Sequence, residues 1–235
     1  GLFYGYVTQG IVQKEDITEN GIKYIKQDGS VGYYQTVNKT TPVAGDVKYV
    51  DRNGDGVVDD NDRDIIGNPN PDFTYGFQTK VSWKSLSLSA SFNGVQGRDI
   101  LNVGNRYNNT PGTKSNNVTR KAFQNMWTDE NPSNLYPKST FVVQNMVMDR
   151  YVEDGSYLRC SDITLSYVLP AKWTNKIGIK NTSVYASVKN AFVITDYSGY
   201  DPEVNSFAFD GLRPGVDMNS YPTPRSFVFG LNLTF

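Results

Sequence analysis

A run of strict alternation from Phe73 to Lys84 constrains this chain more than any other feature. Phe73, Tyr75, Phe77, Thr79, Val81 and Trp83 share one face of an extended segment, and Thr74, Gly76, Gln78, Lys80, Ser82 and Lys84 share the other. Ten steps of about 3.4 Å, tilted by roughly 45°, rise about 24 Å, close to the apolar band of an outer-membrane barrel. Aromatics stand at both ends of the span, where interfacial girdles lie in such barrels, with the smaller Thr79 and Val81 between.

The next segment alternates with opposite parity: Leu86, Leu88, Ala90 and Phe92 face away from Ser85, Ser87, Ser89, Ser91 and Asn93. A two-residue turn at Lys84-Ser85 requires that switch, because it places Trp83 directly across from Leu86 on one face. Phe227, Phe229, Leu231, Leu233 and Phe235 repeat the pattern at the end of the chain. A terminal aromatic on an alternating strand resembles the signal read by the outer-membrane barrel assembly machinery, which makes Phe235 the expected assembly terminus. A half-buried strand of a soluble antiparallel sheet alternates in the same way, so this segment alone leaves both readings open. Weaker strands are expected near Tyr157 to Tyr167, from about Thr182 to Ile194 and from Leu2 to Val12. In the second of these the alternation fails after Asn190, the mark of a bulge or of emergence from the apolar band.

Composition narrows the function classes. The 235 residues are 13% aromatic and rich in Tyr, Phe and Gly, which favours strands and turns. Net charge is -1 with no long basic run, so neither nucleic acid nor a polybasic membrane contact is expected. With no histidine and one cysteine, Cys160, histidine-based triads and the usual zinc sites are excluded, as are disulfides within the chain. Neither an 18-residue apolar run nor a signal peptide is read here, but a barrel crosses a bilayer by alternation at low mean hydropathy.

Connections are strongly unequal: Lys84-Ser85 is minimal, whereas 13–72, 94–156 and 195–224 are long. Barrels show this asymmetry, with short periplasmic turns and long extracellular loops. Ser115 to Trp127 reads as a short helix capped at Ser115 or Asn117, with Val118, Ala122, Phe123, Met126 and Trp127 as its stripe. The first long loop carries Asp51, Asn53, Asp55, Gly56, Val57, Asp59 and Asp62 at EF-hand spacing, with Val57 contributing a carbonyl and Asp62 standing where Glu is usual. Hard oxygens at that spacing suit Ca2+, which would pin a surface loop; the competing reading is a solvated turn closed by Asx hydrogen bonds. Asp201, Glu203, Asp210 and Asp217 read as solvated loop carboxylates without a partner for glycosidase chemistry.

Several stretches in order resemble the SusC/RagA-type TonB-dependent outer-membrane transporters. They include Tyr4-Gly5-Tyr6, Gly45-Asp46-Val47-Lys48-Tyr49 leading into the acidic loop, and Ile65-Ile66-Gly67-Asn68-Pro69-Asn70-Pro71. Gly94-Val95-Gln96-Gly97-Arg98-Asp99-Ile100, Glu153-Asp154-Gly155-Ser156-Tyr157, Lys189-Asn190-Ala191-Phe192 and Gly199-Tyr200-Asp201-Pro202-Glu203 follow. The resemblance implies an all-β fold, a transmembrane antiparallel β-barrel of 22 strands with about six in this chain, the C-terminal part of the barrel domain. Signal peptide, TonB box and plug would lie outside it. It further implies import of oligosaccharides or peptides, energy relayed through TonB, a SusD-like surface lipoprotein as partner, outer-membrane lipid around the wall, and no covalent chemistry on the cargo.

The alternative from another class is a secreted, calcium-stabilised β-sandwich that binds carbohydrate. A sandwich buries the Phe73, Phe77 and Trp83 face in a core, whereas a barrel shows it to lipid.

Overall fold

The computed structural model describes residues 1–110, 117–139, 146–174, 179, 181–203, 205–207 and 209–234. They divide into two compact units, one built from Gly1–Asn70, Asp99–Glu153 and Asn205–Ser220, the other from Pro71–Arg98, Asp154–Val204 and Tyr221–Phe235.

The second unit is a five-stranded antiparallel sheet. Its strands are Phe73–Trp83, Leu86–Gln96, Tyr157–Val168, Asn181–Thr195 and Ser226–Thr234, each paired with its neighbour in chain order. The Lys84-Ser85 turn pairs Trp83 with Leu86 as expected, with Lys84 in the left-handed region at φ 52°. Register then carries one apolar row across every strand: Val81 pairs with Leu88, Leu88 with Leu165, Leu165 with Ala186 and Ala186 with Phe229. A second row holds Phe77, Phe92, Cys160 and Phe192, where the Phe77 and Phe92 rings stack at 4.5 Å.

The opposite face is a polar row of Gln78, Ser91, Asp162, Lys189 and Ser226. Asp162 accepts hydrogen bonds from the Thr164 and Ser187 hydroxyls and lies 3.2 Å from the Lys189 ammonium. The break expected after Asn190 is a bulge: the pairing slips between Cys160 and Asp162, and Asn190 takes φ 51°. Gly94 has to lack a side chain, because a Cβ there would lie 2.3 Å from the Tyr75 ring that crosses it.

Phe77 is 53% and Trp83 68% exposed, so among the described residues no second sheet covers that face, although the sandwich reading requires one. Among the described residues the long sheet has five strands, against the about six expected, and the difference is one segment. Leu2 to Val12 breaks into Phe3–Gly5 and Thr8–Ile11, which pair with Asp64–Gly67 and Val47–Tyr49 in the other unit. Its tyrosines lacked the clean alternation that a two-faced membrane strand needs.

The first unit is ordinary globular structure with short strands. Its core gathers Ile11, Val12, Tyr24, Tyr34, Tyr49 and Val58, all 1% exposed or less. Buried tyrosines are affordable where the hydroxyl is partnered. The Tyr24 hydroxyl donates to the Asp51 carbonyl at 2.6 Å, and the Tyr34 hydroxyl accepts from the Tyr49 amide at 3.1 Å.

The expected helix is present but shorter, at Arg120–Asn125, and Thr119 caps it by accepting from the Ala122 amide. Asn117 instead accepts from the adjacent Val118 amide, while Ser115 lies outside the described residues. Of the expected stripe, Ala122 and Trp127 are buried and Phe123 is exposed. Phe235, the expected assembly terminus, also lies outside the described residues.

Candidate functional site

The acidic loop follows the strand Val47–Tyr49 and closes on itself through Asx turns. Asp51 accepts the Gly54 amide at 2.7 Å and the Gly56 amide at 2.8 Å on its two oxygens. Both glycines have positive φ, 78° and 86°, which aims their N–H groups inward. Asn53 accepts from the Asp55 amide, Asp55 from the Val57 amide and Asp59 from the Asn61 amide, each within 2.9 Å. Val57 begins the two-residue strand Val57–Val58, which runs parallel to Thr36–Val37.

Asp62 explains its own departure from the usual Glu. It is fully buried, accepts the Arg52 amide at 2.7 Å on one oxygen and the Asp59 amide at 2.8 Å on the other. The second bond closes a capping box on the short 3-10 turn Asp60–Asp62. A carboxylate so close to the backbone suits the shorter side chain.

The loop is electrostatically tense. Burial pushes the Asp51 carboxyl up, the amides of Gly56 and Gly54 oppose that, and the Asp62 and Asp55 carboxylates add to it. The same surroundings push the Tyr24 hydroxyl up to about 12, chiefly through burial and then through Asp51 and Asp62.

For Ca2+, the donors are of the right chemistry, all hard oxygen. Their arrangement is already committed to backbone amides, and among the described residues no three acidic, histidine or cysteine side chains converge as a metal-holding group. The loop therefore closes by its own hydrogen bonds, and an ion would share oxygens that the amides already use.

The sheet unit holds a second charged cluster that the sequence did not disclose. Arg159, 5% exposed, pairs through Nη2 with Asp201 at 2.5 Å, and its Nε lies 3.0 Å from Glu203 Oε2 at an angle outside hydrogen-bond geometry. Glu203 also accepts from the Tyr157 hydroxyl at 2.6 Å, while Asp201 accepts the Glu203 and Thr223 amides. Arg98 donates to the Pro202 carbonyl at 3.1 Å. Burial alone would raise the Asp201 carboxyl, but those two amides and the Arg159 guanidinium hold it below the usual carboxylate range.

Asp201 and Asp217 are thus buried, not solvated as expected, and Glu203 is tied to Arg159. Asp210 pairs with Arg213. The one available signal was a lone arginine within an alternating strand, Arg159, which the register slip between Cys160 and Asp162 brings to the polar face opposite Asn93. A single guanidinium holds both Asp201 and Glu203, which removes them as an acid-base pair for glycoside chemistry.

No protein-family model matches the chain. It is 35% identical over 201 residues to the TonB-dependent receptor P26 of Formosa agariphila, covering 82% of this chain and 20% of that protein. It is 34% identical over 194 residues to the TonB-dependent receptor SusC of Bacteroides thetaiotaomicron, covering 80% of this chain and 17% of SusC. Among solved structures, the RagAB peptide importer in its open-open state superposes over 100% of this chain and 22% of the importer chain, with TM-score 0.68 and 26% identity. The chain spans about a fifth of the length of the curated relatives it matches.

Proposed function

We propose, for a chain that belongs to the SusC-type TonB-dependent transporters of the outer membrane as part of the barrel wall, that the whole protein imports nutrients with energy relayed through TonB. The observation that carries this reading is the sheet itself. Five strands long enough to cross the apolar band share one register, with an apolar face in the open and a polar face opposite. Both edge strands lack a partner among the described residues, and unpaired edge groups in hydrocarbon cost several kcal/mol each, so further strands complete the wall.

On this reading the cargo is an oligosaccharide or a peptide, the partner is a SusD-like surface lipoprotein, and the long connections face outward, away from the short turn at Lys84-Ser85. Deleting the gene should abolish growth on the cognate nutrient. The tagged transporter should co-purify from the outer membrane with a lipoprotein. Normal uptake in the deletion strain would end the import reading.

We also propose that the Asp51, Asn53, Asp55, Val57, Asp59 and Asp62 loop takes Ca2+ as a structural ion. Support comes from the hard-oxygen donors and from the raised Asp51 carboxyl, whose negative charge a cation would relieve. The dissociation constant should lie around 10⁻⁴ to 10⁻³ M, as in extracellular modules. Calorimetry should lose the Ca2+ heat in an Asp51→Ala, Asp55→Ala double variant; unchanged heat would discard the site.

A further inference from the structure

The end of the sheet that carries the Lys84-Ser85 turn is basic and aromatic. Lys84 holds φ 52° at the first position of that turn, a left-handed conformation that Gly or Asn adopts at lower cost. Its ammonium lies 4.7 Å from the centroid of the exposed Trp83 ring. A second lysine-tryptophan pair follows on the neighbouring strand. The Val168 amide donates to the Ser85 carbonyl at 2.8 Å, and past Pro170 the short helix Ala171–Thr174 exposes Lys172 and Trp173. Trp83, Leu86 and Tyr167 stand in one exposed row on the apolar face at this end.

Charge is the second observation. No acid falls between Asp72 and Asp99, between Asp162 and Asp196, or after Asp217. Among the described residues of the sheet unit, Asp162 is therefore the acid nearest the turn, and it lies five residues along its strand from Tyr167, about 17 Å at 3.4 Å per step. That exceeds the Debye length of about 8 Å at physiological salt, so the sheet unit does not neutralise these lysines. No basic run announces the cluster in the sequence; the hairpin and the strand pairing gather it. Lys176 and Lys180, in the same connection, lie outside the described residues and form no part of the site.

These features select the occupant. A tryptophan beside a lysine at the end of an apolar face suits the level where hydrocarbon gives way to headgroups, with the ring in the interface and the ammonium beyond it. Two ammoniums without a carboxylate favour a phosphodiester of net negative charge over a zwitterionic headgroup, which brings its own cation beside them. A soluble acidic partner would meet the charge and leave the apolar row uncovered.

We propose that Lys84 and Lys172, flanked by Trp83 and Trp173, form a site for the phosphate of a net-anionic phospholipid in the leaflet around the short-turn end. The left-handed Lys84 then has a reason, since a cation at headgroup depth replaces the easier backbone of Asn or Gly. The site goes beyond the import reading and rests only on the placement of the sheet in the outer membrane.

The test uses the intact transporter in lipid vesicles, photolabelled with phosphatidylglycerol carrying a photoactivatable group near the headgroup, or with acyl-matched phosphatidylcholine carrying the same group. Phosphatidylglycerol should label the peptides holding Lys84 and Lys172 about tenfold or more above phosphatidylcholine. Lys84→Asn and Lys172→Gln should each cut that preference about fivefold, and the double variant should abolish it. Asn suits the positive φ, so the Lys84→Asn transporter should unfold at the same temperature or higher, which separates lost lipid preference from lost fold. Lys23→Gln, on the exposed side of the strand Gly21–Ile25, should change nothing. Equal labelling by the two lipids, or a preference that survives the double variant, overturns the proposal. So does equal lipid labelling together with hexaglutamate binding that the double variant loses, which assigns the surface to an acidic protein segment. Import fails separately, by normal uptake in the deletion strain, whichever way the labelling falls.

Discussion

The two units of this chain solve burial in opposite ways. In the globular unit large side chains such as Tyr24, Tyr34 and Tyr49 are removed from solvent, with two of the hydroxyls partnered by backbone groups. In the sheet the apolar rows stand in the open and the polar groups bond among themselves, as in the Asp162, Thr164, Ser187 and Lys189 cluster. One composition serves two solvents, and what differs is periodicity. The sheet sorts residues by a period of two, whereas the globular core is collected from two separate stretches with no shared period, and Val216 of a third packs against it.

The same contrast holds for two buried carboxylates. Asp51 is pushed up chiefly by burial, with Asp62 and Asp55 adding to it against the Gly56 and Gly54 amides, whereas in Asp201 backbone amides and an arginine outweigh burial and hold the carboxyl down. Burial is common to both; the neighbours decide the sign.

The largest expected effect comes from cutting the charge pairing in the sheet unit. Arg159→Ala leaves Asp201 buried without its partner and should destabilise the unit by about 3–5 kcal/mol. Limited proteolysis should then cut the 196–225 connection readily, and wild-type resistance would show that the pair contributes little.

Next, neighbouring residues on one strand should respond oppositely. Leu88→Arg puts a charge on the lipid side and should cost about 2–4 kcal/mol near mid-bilayer, whereas Ser89→Arg should cost under about 1. Folding of the intact transporter into lipid vesicles measures both, and equal costs would erase the distinction between faces.

Asp62→Ala strips acceptors from the Arg52 and Asp59 amides and should cost about 1–3 kcal/mol, confined to the loop. Hydrogen exchange should rise at 51–62 and stay unchanged in the sheet.

The smallest effects are pH effects of opposite sign. The Asp201 contribution is present above the ordinary carboxylate value, about 3.9, and is lost as pH falls below it toward the lowered folded value. For Asp51 the folded carboxyl titrates above its unfolded value, so stability falls as pH rises from about 3.9 through the raised value. Asp201→Asn should remove the first dependence and Asp51→Asn the second; a variant that leaves its slope intact would clear its residue of the role.

Much of the sheet was legible because its information is local. The parity switch at Lys84-Ser85, the failure of alternation at Asn190 and the faces of Phe73–Trp83 each depend on residues a few positions apart. The acidic loop was legible for the same reason, since the hydrogen bonds that the Asp51 and Asp62 side chains accept from backbone amides join residues within ten positions along the chain. The Leu2–Val12 segment misled because tyrosines suit a wet strand and a buried core alike.

By itself, then, the sequence determined strand period, hairpin register, the lipid-facing residues and the turn chemistry of the loop, all consequences of backbone geometry over short separations. Only the tertiary structure decided which distant groups meet. Thr8 finds Asp149 at 141 positions' remove, Tyr6 finds Asp60 at 54, and Arg159 finds Asp201 at 42. No periodicity encodes such pairs; they form because desolvated charges and hydroxyls must be satisfied wherever the packed chain brings a partner within reach.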